Sequence, residues 1–145
     1  MEFLNYFHIH LLHPRVIHFP IALFIGAMGM EILSLIFRKE RLHQTAFDMY
    51  ILATAITPFV VLTGLQEAEH LHLSHPVLTI HKNFGLLTMW TSLISLPIFW
   101  IVNKQSPKIL RGVFLIFALV IVTLVTVTGH NGGRMVYEYG VGMEK

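Results

Sequence analysis

Ten histidines stand in a chain of 145 residues, as many as lysine and arginine together, and cysteine is absent. Imidazole is therefore the side chain with which this sequence can ligate a transition metal. The missing thiols exclude a thiolate nucleophile, a cysteine-ligated iron–sulfur cluster, a structural cysteine zinc site and a covalently attached c-type haem. Two segments repeat. His13-Pro14-Arg15-Val16-Ile17-His18 resembles His75-Pro76-Val77-Leu78-Thr79-Ile80-His81, with one extra residue in the second copy. Proline suits the first turn of a helix, where its missing N–H is no loss, so each His-Pro reads as a helix start. His18 and His81 then stand about one turn inside their helices. Ala22 and Gly85 follow one turn deeper on the same face. Small residues there leave room beside each imidazole for a flat macrocycle or a close helix contact. Two facing imidazoles at one depth form the axial set of a haem b.

On this reading His18 and His81 are the axial ligands. Gly129, with Gly64, Gly132 and Gly133, lets other helix ends approach the ring. Arg15 or Arg134 holds propionates through charge-assisted bonds. The same imidazoles are ordinary ligands for copper or zinc, with His13, His70, His75 and His130 as alternates. His8-x-His10 and His70-x-His72 are further pairs suited to metal capture. The plainer reading is that interfacial histidines anchor or cap helix ends, and that the glycines from Gly129 to Gly133 end the last helix.

The elements that position these residues are four long apolar stretches, at about 16–37, 45–65, 78–102 and 109–129. Each reaches the ~20 residues that a helix needs to cross a hydrocarbon core. Composition agrees, with 54% hydrophobic residues against 12% charged and a mean hydropathy of +0.66. So few charges exclude a soluble enzyme and a nucleic-acid binder. The joins at 38–44 and 103–108 are short, which implies antiparallel neighbours. The fold expected is an all-α membrane protein, a single four-span up-down bundle over residues 1–145. It is built from two repeated helical hairpins about a pseudo-two-fold axis along the membrane normal. The copies align position 13 with 75 at the first histidine, and position 64 with 129 at a span-ending glycine.

Arg38, Lys39, Arg41, Lys104, Lys108 and Arg111 fall on one side; Arg15, Lys82, Arg134 and Lys145 fall on the other. This bias places both termini outside, in the periplasm if the host is Gram-negative. The N-terminus lacks the basic region of a secretory signal. Nine of the ten histidines then collect at the outer interface, and only His43 falls inside. Glu31 lies about 20 Å deeper than His18 at 1.5 Å per residue. It reads as snorkelling towards Arg38, or as a proton- or quinone-linked carboxylate.

His13-Pro14 followed by His18-Phe19-Pro20-Ile21-Ala22-Leu23 resembles the opening motif of a bacterial membrane family, the domain of unknown function family twenty-two thirty-one. Gly129-His130-Asn131-Gly132-Gly133-Arg134-Met135-Val136-Tyr137 resembles its closing segment. The resemblance covers nearly the whole chain. It implies a four-helix bundle of the inner membrane, with redox modules such as Rieske domains sometimes fused or neighbouring. It also implies that His13, His18 and His81 fall on typical histidine positions. Family members often carry Gly-Leu-x-Asp at the end of span two, where this chain has Gly64-Leu65-Gln66-Glu67.

The function expected is a small b-type cytochrome, an electron-transfer subunit rather than a stand-alone enzyme, linking the quinone pool to a periplasmic redox partner. It would work in the lipid bilayer with other subunits of a redox complex or as a homodimer. The alternatives are a copper- or zinc-binding protein of transport or delivery, and a structural accessory subunit.

Overall fold

Each span outruns its apolar stretch, because a helix leaving the hydrocarbon still satisfies its own backbone. The computed structural model describes residues 12–70 and 75–140. The first span is α1 (Leu12–Val16) followed by α2 (His18–Phe37). The others are α3 (Glu40–His70), α4 (Pro76–Gln105) and α5 (Pro107–Tyr137). Four helical stretches, Leu12–Phe37, Glu40–Glu69, Pro76–Lys104 and Ile109–Tyr137, are long and apolar enough to cross a membrane. The described residues hold no strand. Positions 1–11, 71–74 and 141–145, with the side chains of His70, Gln105, Pro107 and Lys108, lie outside the described residues. That removes His8, His10, His72 and Lys145 from view and leaves His70 as backbone only.

The break between α1 and α2 has a local cause. Pro20 has no N–H for the Val16 carbonyl, and its ring crowds that oxygen. The Ile17 N–H still bonds to the His13 carbonyl at 3.0 Å, so the axis carries on. His75 caps α4, its Nδ1 accepting from the Val77 N–H at 3.2 Å, with Pro76 opening the helix. The fourth span corrects one expectation. Glycines 129, 132 and 133 do not end it, and α5 runs through them to Tyr137.

The spans pack in chain order around a ring, most closely within each hairpin, so the first faces the third across the axis. Phe24, Tyr50, Phe99 and Phe114 fill the middle, their ring centroids 5.3–5.5 Å apart from neighbour to neighbour. Ala27, Ala46 and Ala53 are the small residues that let these rings in. The Tyr50 hydroxyl pairs with Ser95 Oγ at 2.9 Å, bridging the second and third spans. Most buried Ser and Thr hydroxyls donate to carbonyls three or four residues back in their own helix. No water is needed to satisfy them in the hydrocarbon. Trp90 and Trp100 face outward with Ile116 and Phe19.

Glu31 does not snorkel towards Arg38. It is fully buried and accepts from His43 Nδ1 at 2.6 Å and from Arg111 Nε at 3.4 Å. Arg111 also reaches Glu40 at 3.7 Å and donates to Ser34 Oγ, which in turn donates to the Lys39 carbonyl at 3.2 Å. One carboxylate thus ties the first, second and fourth spans together next to the tight turn at Arg38, which sits in the left-handed region with φ 53°.

Removing Arg111 strands the Glu31 charge with one partner fewer in a low-dielectric interior. Arg111→Ala should lower stability by about 3–5 kcal/mol, measured by denaturant or thermal unfolding in micelles. Asp48→Asn, at an exposed position, should leave it within about 0.5 kcal/mol.

Candidate functional site

His13 and His81 meet on the bundle axis. Their ring centroids stand 6.1 Å apart with the planes at 88°. Each ring is held by the neighbouring span of its own hairpin. His13 Nδ1 donates to the Val60 carbonyl at 2.9 Å, and His81 Nδ1 donates to the Thr128 carbonyl at 2.9 Å. A carbonyl only accepts, so each Nδ1 carries a proton, and in the neutral ring the lone pair is then on Nε2. That is the tautomer a metal-ligating histidine adopts when a backbone carbonyl orients it. Thr63 Oγ1 lies 3.4 Å from His13 Nδ1 and also donates to Val60.

Glycine makes the close approach possible at both rings. A Cβ on Gly64 would lie 2.7 Å from His13 Cε1, and one on Gly132 would lie 3.2 Å from His81 Cε1. The repeat therefore runs in a single register that equates 13 with 81, 60 with 128, and 64 with 132. This corrects the alignment of 13 with 75 and of 64 with 129 read from the His-Pro pairs and the span-ending glycines. His75-Pro76 looks like His13-Pro14, yet His75 is a helix cap lying more than a turn ahead of the residue that does the work of His13.

The register decides where the other candidates go. His18 follows His13 by five positions, about 140° round the helix. It is exposed, as is Ala22 below it, so His18 does not face His81. Gly85 lines the cavity between the rings, but a Cβ there, or on Gly129, would meet nothing within 4 Å. Gly129 and His130 lie on the exposed face of α5. Arg15 is exposed. Arg134 is engaged with Glu138 Oε2 at 2.9 Å and the Tyr139 hydroxyl at 3.1 Å. The His75 ring packs on Tyr139, centroids 4.2 Å apart.

The cavity beside the two imidazoles has a volume of about 60 Å³. Its walls are mostly apolar and come from all four spans, among them Ile21, Phe24, Val61 and Val125, with Thr57 and Thr88 the hydroxyl-bearing exceptions beside Thr128. Chemically, the site presents two half-buried imidazoles, each oriented by a carbonyl, beside mostly apolar walls. Sequence reasoning places His13 among the alternates, and the family resemblance puts it with His18 and His81 on typical histidine positions. The usable signal is that Gly64 and Gly132 are separated along the chain by the same interval as His13 and His81.

Compared with known proteins, the chain matches one family model over residues 9–145, described as a predicted membrane protein, DUF2231. It belongs to that family. No curated protein and no solved structure matches it.

The glycine contacts grade the substitutions. Gly64→Ala should displace the His13 ring, and Gly132→Ala should shift His81 less. Gly129→Ala should leave both rings in place and gain up to about 1 kcal/mol of helix stability. Histidine ring resonances in ¹⁵N-labelled protein read the first two effects, and unfolding midpoints the third.

Proposed function

We propose that this member of the DUF2231 family is a membrane electron-transfer subunit whose His13 and His81 hold a bis-imidazole centre, a b-type haem. The observation that carries the reading is the meeting of two imidazoles on the bundle axis, each fixed through Nδ1 to a helix carbonyl of its own hairpin. His13 and His81 would hold the haem iron through their imidazole nitrogens. When bound, the haem supplies one-electron chemistry.

The chain's own residues do the rest. Val60 and Thr128 fix the tautomer and raise ligand basicity. Gly64 and Gly132 admit the rings. Ile21, Phe24, Val61 and Val125 keep water away, which tunes a redox centre through its dielectric. In this role the protein would exchange electrons between the quinone pool and a partner at the histidine end, with both termini on the periplasmic side of a bacterial inner membrane. It would do so within a larger redox complex or as a homodimer.

One observation favours a second reading. A cavity of about 60 Å³ suits a bare ion better than a macrocycle, which would have to part the spans. Copper, bound by the same two nitrogens, is that ion.

The deciding measurement is a reduced-minus-oxidised spectrum of the purified protein, expressed with a haem precursor. Soret and α bands are expected in the wild type and in His18→Ala, and should be lost in His13→Ala and His81→Ala. A wild type without these bands overturns the haem reading. Stoichiometric copper in its place supports the second reading, and neither leaves a structural accessory subunit.

A further inference from the structure

One charge stands where the bilayer offers it nothing. Asp48 lies on α3, about 12 Å in from Glu40 at 1.5 Å per residue. Phe47 before it and Tyr50 after it pack their rings in the aromatic centre of the bundle. Asp48 itself is turned outward and exposed. Phe37, Trp100 and Ile109 are nearer that end of the bundle and also exposed, so apolar surface continues beyond Asp48 towards water. Near its depth the other spans turn Ile25, Ile94 and Ile116 outward. Among the described residues no ion pair reaches Asp48, and the bases His43 and Arg111 are committed to Glu31. Hydrocarbon gives a carboxylate neither solvation nor a donor. Ionisable residues at such depth therefore mark a functional contact, with a polar partner or a water-filled cavity beside them.

We infer that the outward face of the second span is the contact between two copies of this chain, in which each copy's Asp48 meets the other's across a two-fold axis along the membrane normal. The inference locates the homodimer named above and rests on the membrane-spanning fold, whatever His13 and His81 hold. Two copies inserted the same way carry equal residues at equal depth, so a second copy always brings a polar group level with Asp48. A two-fold contact needs a patch that matches itself. Thr45, Asp48, Leu52, Ala55, Phe59 and Leu62 are all exposed and recur at alternating steps of three and four, the spacing along which two parallel helices pack. Ala55 is the small residue that lets the helices approach. Facing carboxyls share one proton, the protonated member donating its O–H and the other accepting. Such a polar pair holds membrane helices together where apolar side chains, no better matched to each other than to lipid, do not.

The test uses the full chain in lipid vesicles and in micelles. Because the sequence has no cysteine, a single introduced one reports a single contact. Ala55→Cys should cross-link into a dimer under mild oxidation in vesicles, and Ile116→Cys, on the outward face of the fourth span, should not. Asp48→Leu should weaken the dimer about tenfold, the factor that a polar pair between membrane helices supplies, read as the shift in the protein-to-detergent ratio at half dissociation. Asp48→Asn should keep the dimer, because an amide both donates and accepts across the axis. A wild type that is monomeric in micelles, with no cross-link through position 55 in vesicles, overturns the inference and leaves Asp48 to a basic residue of another membrane protein. Equal cross-linking through positions 55 and 116 overturns it too, as does an Asp48→Leu variant that dimerises like the wild type. Loss of the dimer in Asp48→Asn as well as in Asp48→Leu overturns the carboxyl pair. All are read without a metal or cofactor, so failure here leaves the ligand assignment standing.

Discussion

A helix carbonyl has a second lone pair, and the histidine end of this bundle is built on that fact. An imidazole N–H turned towards mostly apolar walls must find an acceptor within the protein. Val60 and Thr128 offer their carbonyls while still serving their own helices. To reach them the ring packs against the neighbouring helix, where a Cβ would lie 2.7 Å from it at 64 and 3.2 Å from it at 132. Tautomer, ring position and glycine placement thus follow from one requirement, and the free Nε2 of each ring is its by-product.

The far end of the bundle answers the same requirement with charge. Positions 43 and 111 are equivalent in the register that pairs 13 with 81, and both carry a basic side chain directed at Glu31. The equivalent of Glu31 itself is Phe99, part of the aromatic centre. The two hairpins are therefore alike where the imidazoles meet and unlike where the carboxylate sits. A single buried acid with two partners costs less than two acids with one partner each. The asymmetry at this end is what a stable interior needs.

The four spans are legible because length and apolarity alone require helices. The up-down order follows from short joins. The histidine end is legible as a cluster, since topology brings those residues to one depth. The pairing within it is not. Two His-Pro steps suggest the wrong equivalence, because a proline marks a helix start whatever the residues after it do. His18 looks like a partner for His81 by position in the motif, but angular placement round the helix decides which side chain faces the axis. Glu31 is visible as an anomaly, yet its partners lie 12 and 80 residues away, beyond any local pattern. Glycines 129, 132 and 133 look like a terminator, and the packing of His81 on one of them shows why a glycine can be kept inside a long helix.

The pseudo-two-fold axis runs between the hairpins, and the tightest packing lies within each one. Each hairpin therefore owns half of a donor set and all of what orients that half. The seam between them is the looser joint of the molecule. Any guest that engages both nitrogens would act as a clasp across it. Occupancy and cohesion then become one equilibrium, since whatever binds only the closed bundle draws the two halves together in proportion to its affinity.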